Sequence, residues 1–230
     1  MFEKKYSYIL LIHIFIGILI YFVPFFSKLY GLGSMIVGLY YVIKTQNKNN
    51  EVLLVSAYVV GSEALLRMTS GTISYEFSKY GVIIFSLIGM YFSGFSKNAL
   101  PYWFFLILLI PGVVIATSVL NFDTDIRKTI AFNISGPVCL SLASIYCYQR
   151  TISFRKINEI LLFCGLPIVS MIVYLILYTP DLKEVLINTG SNYQTSGGFG
   201  PNQVATILGL GTFIFFSRFL LESKTKFLFT

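Results

Sequence analysis

Charge is scarce in this sequence. Charged residues make up 12% of the 230 residues, against about 25% in an ordinary soluble domain, which excludes a water-facing globule. Histidine occurs once, at His13, so no histidine pair is available for a metal or a relay. Cysteine occurs three times, at Cys139, Cys147 and Cys164, always within apolar stretches and never with ligand spacing. No Gly-Lys-Ser/Thr follows a glycine loop, and Gly198-Phe-Gly200 has Gln203 where a dinucleotide loop needs its third glycine. Neither a Gly-x-Ser-x-Gly elbow nor a His-Glu-x-x-His helix is present. The net charge of +7 forms no basic cluster outside loops, which argues against a nucleic-acid partner.

Apolar side chains are abundant: 56% of the chain is hydrophobic and 17% aromatic. A membrane helix needs about 20 apolar residues, and eight runs meet or approach that length: Tyr6–Val23, Phe25–Ile43, Val52–Met68, Tyr80–Phe95, Pro101–Leu120, Ile130–Tyr148, Ile160–Tyr178 and Asn202–Phe219. The first follows a short basic start and is followed by no small-x-small cleavage site, so it reads as a retained span. Pro24 comes so soon after it that the first two runs are also compatible with a tight helical hairpin. Pro101, Pro111, Pro137 and Pro167 lie at or within spans, where neighbouring helices can satisfy the freed carbonyls. The expected fold is all-α, a polytopic transmembrane bundle of about eight spans forming one domain over 1–230.

The basic residues orient that bundle. With a cytoplasmic N-terminus, Lys4, Lys5, Lys44, Lys48, Lys97, Arg150, Arg155, Lys156, Arg218, Lys224 and Lys226 fall inside, and Lys28, Arg67, Lys79, Arg127, Lys128 and Lys183 fall outside. Eleven against six obeys the positive-inside rule. Glu63, Glu76, Asp123, Asp125, Asp181 and Glu184 all fall outside as well. The segment 180–201 then becomes an extracytoplasmic, glycine-rich loop.

That loop turns directly into an apolar helix. Gly197, Gly198 and Gly200 free the backbone, Pro201 suits a first helical position, and Asn202 and Gln203 occupy the first turn. A helix start presents free N–H groups and the positive end of the macrodipole, the elements of an anion site. The same residues also describe a plain turn before a membrane helix. On the preceding outer segment Glu63 and Arg67 stand four apart, one helical turn, and can form an ion pair. Glu76 and Lys79 form a similar expected pair. Ionisable groups at the edge of an apolar span are costly and point to function, and a guanidinium fork suits phosphate; bundle-holding ion pairs explain the same residues. Asp123, Asp125, Arg127 and Lys128 read as a solvated loop face without a metal site, and His13 as a packed, hydrogen-bonded side chain.

Two stretches resemble a known family. Gly198-Phe-Gly-Pro-Asn-Gln-Val-Ala205 resembles, with the spacing shifted by one, the Gly-x-Phe-x-x-Pro-Asn-x-x-Ala region of the O-antigen ligase and polymerase superfamily. Glu63-Ala-Leu-Leu-Arg-Met-Thr69 with Tyr75-Glu-Phe-Ser-Lys-Tyr80 is similar to the N-terminal half of a Gram-negative branch of it. The resemblance implies a multi-pass protein of the bacterial inner membrane and a metal-independent, cofactor-free glycosyltransferase. The donor would be an undecaprenyl-pyrophosphate-linked glycan, and the acceptor another glycan or lipid A-core. The anion-site reading of the loop, joined to that donor, makes Arg67, Gly197, Gly198, Gly200, Asn202 and Gln203 the expected substrate contacts. Members have ten or more spans and a catalytic histidine in the second half. His13 precedes every motif, so the chain is expected to correspond either to the N-terminal portion of a longer member, without its catalytic half, or to a degenerate member. A small multi-pass transporter and a non-catalytic membrane scaffold are the alternatives left open by the residues themselves.

Overall fold

The computed structural model describes residues 2–119, 125–179 and 193–222. Asp123, the 180–192 part of the glycine-rich loop with Asp181, Lys183 and Glu184, and the terminal Lys224 and Lys226 lie outside the described residues. Regular structure among the described residues is entirely helical: α1 Phe2–Phe22, α2 Phe25–Thr45, α3 Glu51–Met68, α4 Phe77–Ser93, α5 Leu100–Val119, α6 Ile126–Cys147, α7 Phe154–Tyr178 and α8 Pro201–Glu222. Single 3-10 turns occur at Lys97–Ala99 and Gln194–Ser196.

Each helix occupies one of the apolar runs, with displaced starts. Helices α6 and α7 begin at Ile126 and Phe154 rather than Ile130 and Ile160. The cause is capping. Asp125 Oδ1 accepts from the Lys128 amide at 3.1 Å, and Ser153 Oγ accepts from the Lys156 amide at 3.3 Å. Each cap nucleates a polar first turn that hydrophobicity does not register. Between α1 and α2 only Val23 and Pro24 intervene; the amides of Phe26 and Ser27 bond the carbonyls of Val23 and Pro24 at 2.9 and 3.1 Å.

Among the described residues, five helical segments are long and apolar enough to cross a membrane: Phe25–Thr45, Lys97–Val119, Ile126–Cys147, Phe154–Tyr178 and Pro201–Leu220. The apolar stretches of α1 and α4, Tyr6–Phe22 and Phe77–Ser93, are shorter, and α3 carries Glu51, Glu63 and Arg67. Helix α5 has no buried residue; Phe104, Ile107, Leu108, Ile115 and Val119 are all exposed. A helix apolar on every side is disfavoured in water and compatible with a lipid surround.

The chain divides into two compact units. Unit 1 comprises Met1–Ser34, Ala57–Thr72 and Ser153–Thr230. Within it α1 and α8 both pack on α7, around Ile20, Ile168, Met171 and Ile214. Gly61 of α3 lies against the α7 backbone: a Cβ there would stand 2.0 Å from the Cys164 carbonyl oxygen. Polar bonds cross the same packing. Ser170 donates to the His13 carbonyl at 2.7 Å, and buried Arg218 donates to Asn158 Oδ1 at 2.7 Å while lying 5.7 Å from the Tyr6 ring centre. His13 does have the partners a buried imidazole needs. Its Nδ1 bonds the Ile9 carbonyl at 3.0 Å and so must carry the proton; Nε2 then accepts from Tyr58 at 3.1 Å, and Tyr58 accepts from Tyr30 at 2.9 Å.

Unit 2 comprises Met35–Ser56 and Ile73–Ile152, with α4 and α5 packed on α6. One end is stitched by two side chains. Buried Asn47 donates to Ser93 and to Tyr146 Oη, both at 2.8 Å, and its Oδ1 accepts from the Val52 amide at 3.0 Å. Arg150 donates to the Tyr146 carbonyl, Asn50 Oδ1 and the Gly94 carbonyl, each at 3.0 Å.

Candidate functional site

The site begins with the ion pair on α3. Four-residue spacing puts Glu63 and Arg67 on one helical face, and Arg67 Nη2 meets Glu63 Oε1 at 2.8 Å. Their side chains are only 28% and 12% exposed, so the charges are partly withdrawn from water. They line a cavity of about 250 Å³ together with Ala64, Phe199, Gln203, Thr206 and Ile207. Arg67 and Gln203, drawn from two distant stretches of sequence, therefore share one cavity, on α3 and the first turn of α8.

The glycine-rich loop prepares the α8 end. Gly197 and Gly198 have φ of +67° and +70°, a region that L side chains rarely enter. The two left-handed residues close a compact turn, with the Gly198 and Phe199 amides directed at the Tyr193 and Ser196 carbonyls at 3.2 Å. Buried Ser196 holds the turn through its hydroxyl, 2.9 Å from the Tyr193 carbonyl. A Cβ at Gly197 would lie 3.0 Å from both Leu175 and Met68, and one at Gly198 would lie 3.1 Å from the Tyr178 hydroxyl. These two glycines therefore seat the loop on α7 and the end of α3.

That arrangement modifies the sequence-based picture of the loop as an anion cradle. The Gly198 and Phe199 N–H groups bond within the turn, and those of Gln203 and Val204 bond the Gly200 carbonyl at 3.0 and 3.1 Å. Gly200 thus stands at the cap of α8 with Pro201 behind it, and the amides of Gly200 and Asn202 remain outside this set of bonds. Gly200 also makes room for Gln203, whose Oε1 would be 3.1 Å from a Cβ there. Asn202 is exposed and does not line the cavity. Its carbonyl accepts from Thr206 at 2.8 Å.

The second expected ion pair does not form. Lys79 donates to Ser135 at 3.2 Å and lies 5.9 Å from the Phe132 ring centre, while Glu76 is 8% exposed and elsewhere engaged by neither cation nor cap. Glu76 stands at the N-cap of α4, with φ −96° and ψ 17°. A residue half outside the helix does not obey the helical spacing that places i and i+3 side by side. Sequence reasoning also missed Phe199, Thr206 and Ile207 as cavity walls. Their signal was present: Gln203, Thr206 and Ile207 follow the i, i+3, i+4 pattern of one helical face.

Chemically, the cavity offers a guanidinium fork paired with a carboxylate, a carboxamide and a hydroxyl, walled by Ala64, Phe199 and Ile207. Its volume lies just below the range of about 300–1,000 Å³ usual for whole-ligand pockets, which suits one small polar group at the end of a larger molecule. No protein-family model, curated protein or solved structure matches the chain.

Proposed function

We propose that this chain takes part in transfer or polymerisation of a polyprenyl-pyrophosphate-linked glycan at the outer face of a bacterial inner membrane, with the Arg67–Gln203 cavity holding the diphosphate. The protein is read as a bundle of about eight spans with a cytoplasmic N-terminus. The observation that carries the proposal is the cavity itself, in which Glu63-Ala64 and Arg67 meet Phe199 and Gln203. Those residues belong to the two stretches that resemble the O-antigen ligase and polymerase superfamily.

In such a reaction the leaving group is already an activated lipid diphosphate. The protein must position it and offset its charge as the glycosidic bond breaks. A guanidinium binds phosphate oxygens through two parallel N–H bonds, and Glu63 holds Arg67 in place until a diphosphate shares that fork. The start of α8 adds roughly 0.3–2 kcal/mol for an anion at a helix end, too little to retain a diphosphate without the arginine. Gln203 supplies an amide donor to a phosphate or sugar oxygen. The glycan itself is held outside this small cavity.

The direct test is equilibrium binding of undecaprenyl diphosphate to the protein in lipid nanodiscs, with undecaprenol as the uncharged control. Saturable binding of the diphosphate, weakened by Gln203→Ala and unaffected by Lys156→Ala, supports the proposal. Equal retention of undecaprenol and the diphosphate, or indifference to substitutions at Arg67 and Gln203 in folded protein, removes it.

A further inference from the structure

Unit 2 holds a wider cavity, about 800 Å³, lined by Ser74, Tyr75, Glu76, Lys128, Thr129 and Phe132. Two features set it apart from an incidental gap between helices. The first is Glu76. Glu76 stands at the N-cap of α4 and makes no side-chain bond to the first turn. It is 8% exposed, and no hydrogen bond or ion pair reaches its carboxyl group among the described residues. Its carboxyl oxygens keep accessible surface on the cavity they line and can accept hydrogen bonds from a ligand there. The second feature is aromatic. Tyr75 and Phe132, 45% and 53% exposed, set their rings 5.5 Å apart at 41°, forming a tilted wall. Lys79 fixes that wall through its contact with Phe132 and its bond to Ser135.

The charges select among ligands. Glu76 opposes an anion, whereas Lys128 in the lining and Lys79 behind Phe132 oppose a cation. A wholly apolar ligand would leave the carboxyl group without a partner. An uncharged ring with one apolar face and hydroxyl donors around its edge meets all of these conditions. We propose that this cavity is a saccharide-binding site. A pyranose lies with its apolar face on Tyr75 and Phe132, and neighbouring hydroxyls donate to the two oxygens of Glu76. Thr129 and Ser74 contact the ring edge, and Lys128 donates to a hydroxyl or ring oxygen. The volume falls within the range of about 300–1,000 Å³ typical of ligand pockets. As the place of an acceptor glycan the site rests on the proposed transfer function; as a saccharide site it stands on the chemistry of the cavity alone.

The test is saturation-transfer NMR on the full chain in lipid nanodiscs. The probes are the methyl glycopyranosides of glucose, galactose, rhamnose and N-acetylglucosamine, with choline as a cationic comparison. At least one glycoside should receive saturation, strongest at the ring protons of its apolar face. The signal should fall at least fivefold in Glu76→Ala and in Phe132→Leu and persist in Arg67→Lys. Phe132 is exposed, so its variant decides the matter should Glu76→Ala fail to fold. No transfer to any glycoside, transfer to choline alone, or equal signals in the folded variants would overturn the site. Saccharide binding that survives alongside absent diphosphate binding removes the transfer function and leaves this site standing; the reverse removes this site alone.

Discussion

Arg67 and Glu63 meet at 2.8 Å on α3, and the cavity they line continues to Gln203 on α8. The pair has both a structural and a ligand-binding consequence, which substitutions separate. Arg67→Lys keeps the charge and loses the planar fork. It should lower affinity for undecaprenyl diphosphate about tenfold, equivalent to about 1.4 kcal/mol, at an unchanged melting temperature. Arg67→Ala should also destabilise by about 1–3 kcal/mol, because Glu63 is left partly buried without its partner. Adding Glu63→Ala should restore stability and leave binding impaired. A lysine variant that binds normally would assign the pair to holding the bundle together.

The Asn47 side chain bonds three partners in unit 2, and its loss should cost more than the loss of any one of them. Asn47→Ala strands the Val52 amide and removes the donor to the Tyr146 hydroxyl, while Ser93 keeps its bond to the Asn47 carbonyl at 3.2 Å, an effect of about 1–3 kcal/mol. Tyr146→Phe removes one bond, about 0.5–1.5 kcal/mol, and keeps the ring stacked 4.1 Å from the Arg150 guanidinium carbon. Thermal unfolding in nanodiscs would rank the two. The reverse order would show that the ring, rather than the amide, organises this end.

The helices were legible in the sequence because apolar runs of membrane length have few alternative uses. Their first turns were not, since Asp125 and Ser153 act through one backbone bond each rather than through hydrophobicity. Glu63 and Arg67 were legible as neighbours because both lie inside one helix. Glu76 and Lys79 misled because one of them sits at a cap. Periodicity could not bring Arg67 to Gln203, a tertiary relationship that depends on how α3, α7 and α8 pack. The glycines of the loop were recognised as special, but their use was mixed: Gly197 and Gly198 turn amides inward and seat the loop, and Gly200 caps the helix.

Close approach between α3 and α7 gives a sharp stability prediction. Any side chain at Gly61 would press into the Cys164 carbonyl, with the Cβ 2.0 Å from the oxygen. Backbone cannot yield as a flexible side chain does, and small residues are what permit such contacts between membrane helices. Gly61→Ala should therefore destabilise unit 1 by about 1–3 kcal/mol, the usual range for overpacking, and Gly61→Val by more. A melting temperature for Gly61→Ala equal to that of the parent would show that α3 and α7 do not approach this closely in the membrane.

The orientation and number of spans are tested together by where α3 ends. It has 18 residues, which at 1.5 Å each is about 27 Å, close to the hydrocarbon thickness of about 30 Å. Glu63 and Arg67 lie near its C-terminal end, where mutual neutralisation and the nearby interface lower their cost. If α3 and α4 both cross, tags after Lys48 and Lys97 should report the cytoplasm and a tag after Thr72 the outer side. Tags after Arg155 and at Asn192 should report inside and outside respectively, as the eleven-to-six division of basic residues requires. Identical reports from Lys48, Thr72 and Lys97 would mean that α3 and α4 do not span. A cytoplasmic report at Asn192 would reverse the chain and place the Arg67 cavity on the wrong face for a lipid-linked glycan.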